Sequence, residues 1–217
     1  MSEEAQARCI NRREYEQEAL GILAAVYGDT ASALEFGSVY QLLVAVMLSA
    51  QTNDNQVNRI TRELFPEYGT PERLAELSVE ELEEKIKTCG LYKNKARNIA
   101  ATTRILLAEY GGEVPDRLEE LVKLPGVGRK TANVVLSVGF GIPALAVDTH
   151  IFRVAHRLGL SAGKTPDAVE ADLCGIIPRE DWAAAHHWFI WHGRRVCSAR
   201  KPECDRCPLG GICPKLI

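Results

Sequence analysis

The chain is 217 residues long, 46% hydrophobic and 25% charged, which fits one large domain or two small ones that share a core. Its longest apolar run, Leu42 to Leu48, is far short of the ~20 residues a membrane span needs. Met1-Ser2-Glu3-Glu4 has neither the basic nor the apolar region of a signal peptide, so a cytoplasmic protein is expected. The formal net charge of −3 hides a segregation of sign. Residues 85–105 carry six Lys/Arg and no acid, residues 123–164 six against one, and residues 192–217 six against two. Such clustering suits a basic face for a polyanion, and equally a chance grouping along solvated helix faces.

In chain order, apolar residues recur at helical spacing almost throughout. Tyr15 to Tyr27 places Leu20, Leu23, Ala24 and Tyr27 on one stripe. Val39 to Ser49 is apolar nearly all round, the signature of a buried central helix. Asn53 to Phe65 carries Val57, Ile60 and Leu64, and Pro66 is expected to stop it. Ser78-Val79-Glu80-Glu81 reads as a capping box that opens a helix ending near Gly90. Lys93 to Tyr110 turns Ile99, Thr102 and Leu106 inward and breaks at Gly111-Gly112. Pro115 to Val122, Arg129 to Val138, Thr149 to Leu158, Pro166 to Ile176 and Arg179 to Trp191 complete about ten helices. No stretch alternates at period two over strand length, and no repeat is present, so the fold is expected to be all-α.

Three groups of residues carry chemistry. In Leu124-Pro125-Gly126-Val127-Gly128-Arg129-Lys130, Pro125 ends one helix and the two glycines are expected to take positive backbone angles in a tight turn. The next helix then begins with free N–H groups and a favourable dipole, a phosphate site that needs no base identity. Arg129 and Lys130 in its first turn oppose that dipole unless an anion binds there. In Val147-Asp148-Thr149-His150, Asp148 is placed as an N-cap whose carboxylate could also offset a developing cation. Four of the seven cysteines, Cys197, Cys204, Cys207 and Cys213, fall at 6-2-5 spacing among prolines. A Cys₄ set of this kind suits zinc or an iron–sulfur cluster. Cys9, Cys89 and Cys174 are scattered and read as small core residues or bystanders.

The hairpin Leu124–Lys130, the Val147–His150 segment and the 6-2-5 cysteines together resemble the endonuclease III family, helix-hairpin-helix DNA glycosylase/AP lyases with a [4Fe–4S] cluster. The resemblance runs from about Val39 to Cys213. It implies two helical domains with a DNA-binding cleft between them. One is a six-helix barrel-like domain over about 32–142, with the hairpin at 115–138. The other is a cluster domain built from 1–31 and 143–217. It implies a base-excision repair enzyme that removes oxidised pyrimidines from double-stranded DNA and nicks the abasic site by β-elimination, acting as a monomer. By resemblance, Lys130 is the nucleophile at C1′ and Asp148 the second catalytic residue; the chemistry adds the expectation that Lys130 is partly buried in the cleft, since burial favours a neutral amine. Gln51 fills the gap left by the flipped base, Leu91 wedges into the opposite strand, and Gly126, Gly128 and Arg129 hold the DNA backbone. The four cysteines hold the cluster.

Two other readings remain open at this stage. A monofunctional adenine glycosylase shares hairpin and cluster, but it uses a catalytic Glu where this chain has Val46-Met47-Leu48-Ser49, and it lacks the lysine. A metal-stabilised DNA-binding scaffold needs the hairpin, yet has no use for the pair Lys130 and Asp148.

Overall fold

The computed structural model describes residues 11–30 and 32–216, so Cys9 and the acidic start of the chain lie outside the described residues. In chain order the helices are α1 (Arg12–Tyr27), α2 (Val39–Ser49), α3 (Asp54–Tyr68), α4 (Pro71–Ala75), α5 (Val79–Lys85), α6 (Tyr92–Glu109), α7 (Leu118–Leu121), α8 (Arg129–Val134), α9 (Thr149–Arg157), α10 (Pro166–Ile176) and α11 (Trp182–Arg195). A π-helical turn, Val135–Gly139, continues α8, and 3₁₀ turns occupy Arg179–Asp181 and Cys204–Arg206. No strand occurs among the described residues, as the missing period-two pattern required. None of their helices is long and apolar enough to cross a membrane.

The chain forms two compact units, one spanning Ala31–Ala146 and the other made from Met1–Thr30 with Val147–Ile217. The first is built around α2, whose residues from Leu42 to Leu48 are all buried, with α3, α6 and α8 packed on it. Val57, Ile60 and Leu64 of α3 and Ile99 and Leu106 of α6 face this core. Each such side chain contributes about 1.5–3 kcal/mol by leaving water. In the second unit α11 is the centre, packed by α1 and α9, and its Phe189 is fully buried.

Several boundaries differ from the sequence reading. Pro66 lies inside α3, near its end, where losing one N–H bond does not stop the helix before Tyr68. The Ser78 capping box is present, but α5 ends at Lys85 and turns fill the chain up to Gly90. The expected Pro115–Val122 helix shrinks to the single turn of α7, and α4, opened by a Thr70 cap and Pro71, escaped the reading. Elements of one turn are too short to show a hydrophobic period.

Candidate nucleic-acid interface and metal centre

The hairpin is seated on α6. Val127 N–H donates to Leu124 O at 3.0 Å, and between them Gly126 takes φ +78°. A Cβ at Gly126 would press to 2.8 Å against the Asn98 side chain. Thr102, one turn further along α6, donates its hydroxyl to Pro125 O at 2.9 Å. Gly128 corrects the sequence reading, because its φ is −86° and it needs no glycine conformation. Its distinction is space: a Cβ there would meet nothing within 4 Å. Gly128 is also the N-cap of α8 and brings no side-chain oxygen to it. The first-turn N–H groups, which no carbonyl of their own helix can satisfy, are thus left without a side-chain cap beside open space. Arg129 and Lys130 follow and are exposed. The partial burial expected of Lys130 is not found, since the residue is exposed in the first turn of α8.

Gln51 and Leu91 are alike in an unexpected way. Three non-glycine residues have positive φ among the described residues: Gln51 at 56°, Leu91 at 58° and Lys215 at 53°. A left-handed backbone costs an ordinary residue about 1–2 kcal/mol, and such outliers gather at functional sites. Gln51 ends the turn after α2, and Leu91 is the N-cap of α6. Leu91 is 56% exposed, so it is no satellite of the core. The two loops touch, because a Cβ at Gly90 would stand 3.3 Å from Gln51 O. Beneath them lies the buried Lys95, which the sequence reading counted only within a basic segment.

Asp148 is the N-cap of α9, and its Oδ1 accepts the N–H groups of both His150 and Ile151 at 2.8 Å. The other end of α9 belongs to the cysteine loop. Arg153 donates to Cys197 O (3.1 Å) and Gly193 O (3.0 Å), and Arg157 to Ser198 O (2.8 Å) and Ala199 O (2.9 Å). Neither arginine could be placed on that loop from sequence spacing, because the contacts span some 40 residues.

Cys197, Cys204, Cys207 and Cys213 line one cavity together with Arg157 and His192. Among the described residues no three His, Cys, Asp or Glu side chains are placed to hold a single metal ion. Four thiols lining one space are the donor set that an iron–sulfur cluster takes. Burial pushes the Cys207 and Cys213 thiols up, a tendency that ligation as thiolate to iron reverses. Donors to sulfur are already in place: Lys215 N–H points to Cys213 Sγ at 3.4 Å, and the Arg157 guanidinium to Cys197 Sγ at 3.5 Å. His192 Nε2 lies 3.9 Å from Cys207 Sγ, with its Nδ1 held by Tyr27 Oη at 3.2 Å. The donor set fits the cluster.

A hairpin with an uncapped helix start, a capping carboxylate and a four-thiol cavity define an all-helical protein with an anion-binding hairpin and a cysteine metal centre, and family comparison identifies the class. Residues 44–179 match the HhH-GPD superfamily of base excision DNA repair proteins, and residues 197–213 match the iron-sulfur binding domain of endonuclease III. The chain is 53% identical over 174 residues to endonuclease III of Rickettsia conorii, covering 80% of this chain and 83% of the relative. It is 51% identical over 180 residues to that of Escherichia coli K12, covering 83% and 85%. A solved trapped endonuclease III–DNA covalent intermediate, an estranged-adenine complex, is 46% identical with a TM-score of 0.90, over 94% of this chain and 96% of the other. A thermostable thymine-DNA glycosylase, 22% identical over 94% and 97% of the two chains at TM-score 0.84, shares the fold. The chain belongs to the endonuclease III family. It is therefore a base-excision repair DNA glycosylase and AP lyase, with a [4Fe–4S] cluster as its cofactor.

Proposed function

We propose that the protein removes oxidised pyrimidines from duplex DNA and cleaves the resulting abasic site through a Schiff base on Lys130. The Lys130 amine forms a bond to C1′ as the base departs, and the opened sugar carries the nitrogen as an imine. That imine acidifies C2′; loss of its proton breaks the C3′–O bond and releases the downstream phosphate. Asp148 stabilises the positive charge on the sugar during base departure. The N–H groups after Gly128, with Arg129, hold the DNA backbone without reading bases. Gln51 and Leu91 fill the stack that the flipped nucleotide leaves. Cys197, Cys204, Cys207 and Cys213 hold the cluster, which stabilises the loop on which the basic residues Arg194–Lys215 are carried. The domain over 32–142 carries the hairpin, and 1–31 with 143–217 the cluster. The enzyme works as a monomer in the cytoplasm.

The observation that carries this reading is the open, uncapped start of α8 with Lys130 exposed in its first turn. It gains weight from the 46%-identical endonuclease III, whose DNA complex was trapped covalently. Borohydride reduction on abasic DNA tests it. Wild type should become covalently attached, and Lys130→Gln should not, while both bind uncleaved duplex about equally. Trapping of Lys130→Gln at the wild-type rate would place the nucleophile elsewhere.

A further inference from the structure

Lys95 is 6% exposed, and a buried ammonium is costly unless its protons are matched. Each of its three has a partner: Nζ donates to Leu48 O at 2.7 Å, to Thr52 Oγ1 at 3.0 Å and to Cys89 Sγ at 3.1 Å. All three partners are uncharged. Leu48 O belongs to the last turn of α2, where carbonyls have no partner in their own helix and where the helix dipole favours a cation. Thr52 directly follows Gln51, and Cys89 stands two residues before Leu91. The network closes on itself, since the Cys89 thiol donates to Leu48 O at 3.3 Å and lies 3.3 Å from Thr52 Oγ1.

We infer that Lys95 is a positioning residue for base extrusion: its ammonium group ties together the two loops that present Gln51 and Leu91, and holds both in their left-handed backbone conformations. This rests on the reading of Gln51 and Leu91 as stack-filling residues. Left-handed non-glycine residues persist only where their surroundings over-determine them. Here the surroundings are one amine and the three groups it binds, placed beside both residues at once. Gly90 contributes by letting the two loops approach to 3.3 Å. Without the ammonium, Leu48 O and Thr52 Oγ1 lose a charged donor, and both loops are free to relax to negative φ, which swings the two side chains away. Extruding a paired base needs those side chains; a preformed abasic site largely spares the step.

The test compares excision from a thymine-glycol duplex with cleavage of a preformed abasic duplex, both in single turnover. A 2-aminopurine beside the lesion reports unstacking. Lys95→Met keeps the length and removes the donors. It should slow excision about ten-fold or more, with a matching loss of 2-aminopurine signal, and leave abasic cleavage within about two-fold. Lys95→Met should slow excision less in the Leu91→Ala background than in wild type, because the part of its effect that runs through Leu91 is already lost and only the part that runs through Gln51 remains. Thr52→Val removes one of the three partners and should show the same split, more weakly; it decides the matter if Lys95→Met does not fold. Equal slowing on both substrates, or additive losses in the double variant, overturns the inference. If Gln51→Ala and Leu91→Ala themselves slow both substrates equally, the stack-filling reading fails and takes this one with it. If those two are selective and Lys95→Met and Thr52→Val are not, only the role of Lys95 falls.

Discussion

Asp148→Asn should separate capping from catalysis. Oδ1 alone accepts both first-turn N–H groups, from His150 and Ile151 at 2.8 Å. An asparagine oxygen can take the same two bonds, so what disappears is negative charge at the N-terminus of α9, worth about 0.3–1 kcal/mol. In a chain of this length about 1 kcal/mol moves the midpoint by ~2–4 °C, so Asp148→Asn should lower Tm by roughly 1–4 °C. Asp148→Ala also removes the acceptor, typically about 1 kcal/mol more, and should melt a further ~2–4 °C lower. Rates should order differently. A preorganised group facing developing charge is worth about 3–4 kcal/mol, or roughly 10²–10³ in rate, and both variants lose it. Single-turnover excision of thymine glycol should therefore fall about 10²-fold or more in each, with cleavage of a preformed abasic site hit less. Melting curves and the two rates, measured on the same preparations, decide it. If Asp148→Asn melts as low as Asp148→Ala and excises within a few-fold of wild type, Asp148 is a cap and nothing more.

Gly126→Ala and Gly128→Ala should part company: the first forces a Cβ onto Asn98 at positive φ and should lower Tm, whereas the second should melt normally and weaken binding to all duplexes alike, as read by fluorescence anisotropy. A destabilised Gly128→Ala with unchanged DNA affinity would contradict the open-space argument. The purified protein should be yellow-brown with about four iron and four sulfide per chain, and stoichiometric zinc would refute the cluster. Cys204→Ser should lose iron, stability and DNA affinity before it loses chemistry on saturating DNA. Affinity for undamaged duplex should fall steeply with salt, as when several phosphates release counterions, and salt-independent binding would remove the basic face. Burial holds His187 below its ordinary value, so below about pH 6.5 the unfolded chain takes a proton that the folded chain resists, and stability is lost as pH falls. His187→Gln should flatten that loss below about pH 6.5, measured as the difference from wild type in urea melts; an unchanged slope would mean His187 does not contribute.

How much of this was legible in sequence depended on the range of the interaction. The α2 run and the stripes Val57–Ile60–Leu64 and Ile99–Thr102–Leu106 hold their pattern over about two turns or more, and burial follows them. The Ser78 capping box is local and could be read within four residues, whereas the equally local Asn11 and Thr165 caps were missed. The 6-2-5 cysteine spacing is local too, and the four thiols line one cavity. What escaped is nonlocal or torsional. A left-handed φ at Gln51 or Leu91 leaves no trace in residue type, because neither is glycine or asparagine. Lys95 looks like any member of a basic segment until α6 turns it inward, and Gly128 looks like a turn glycine until its φ is seen. Arg153 and Arg157 read as solvated charge, yet they reach the cysteine loop some 40 residues on.

Those nonlocal contacts follow one logic. Lys95, Asn98 and Thr102 stand at i, i+3 and i+7, so they share a face of α6. Along that face Lys95 meets the turns of Gln51 and Leu91, Asn98 walls the Gly126 turn, and Thr102 holds Pro125. One helix thus sets the spacing between the Gln51 and Leu91 loops and the hairpin. In the other unit α9 does the equivalent, with Asp148 at its first turn and two arginines fastening its flank and end to the cysteine loop. Gln51, Leu91, Lys130 and Asp148 each lie on a turn or at the start of a helix, and each of these elements is backed by a packed interior.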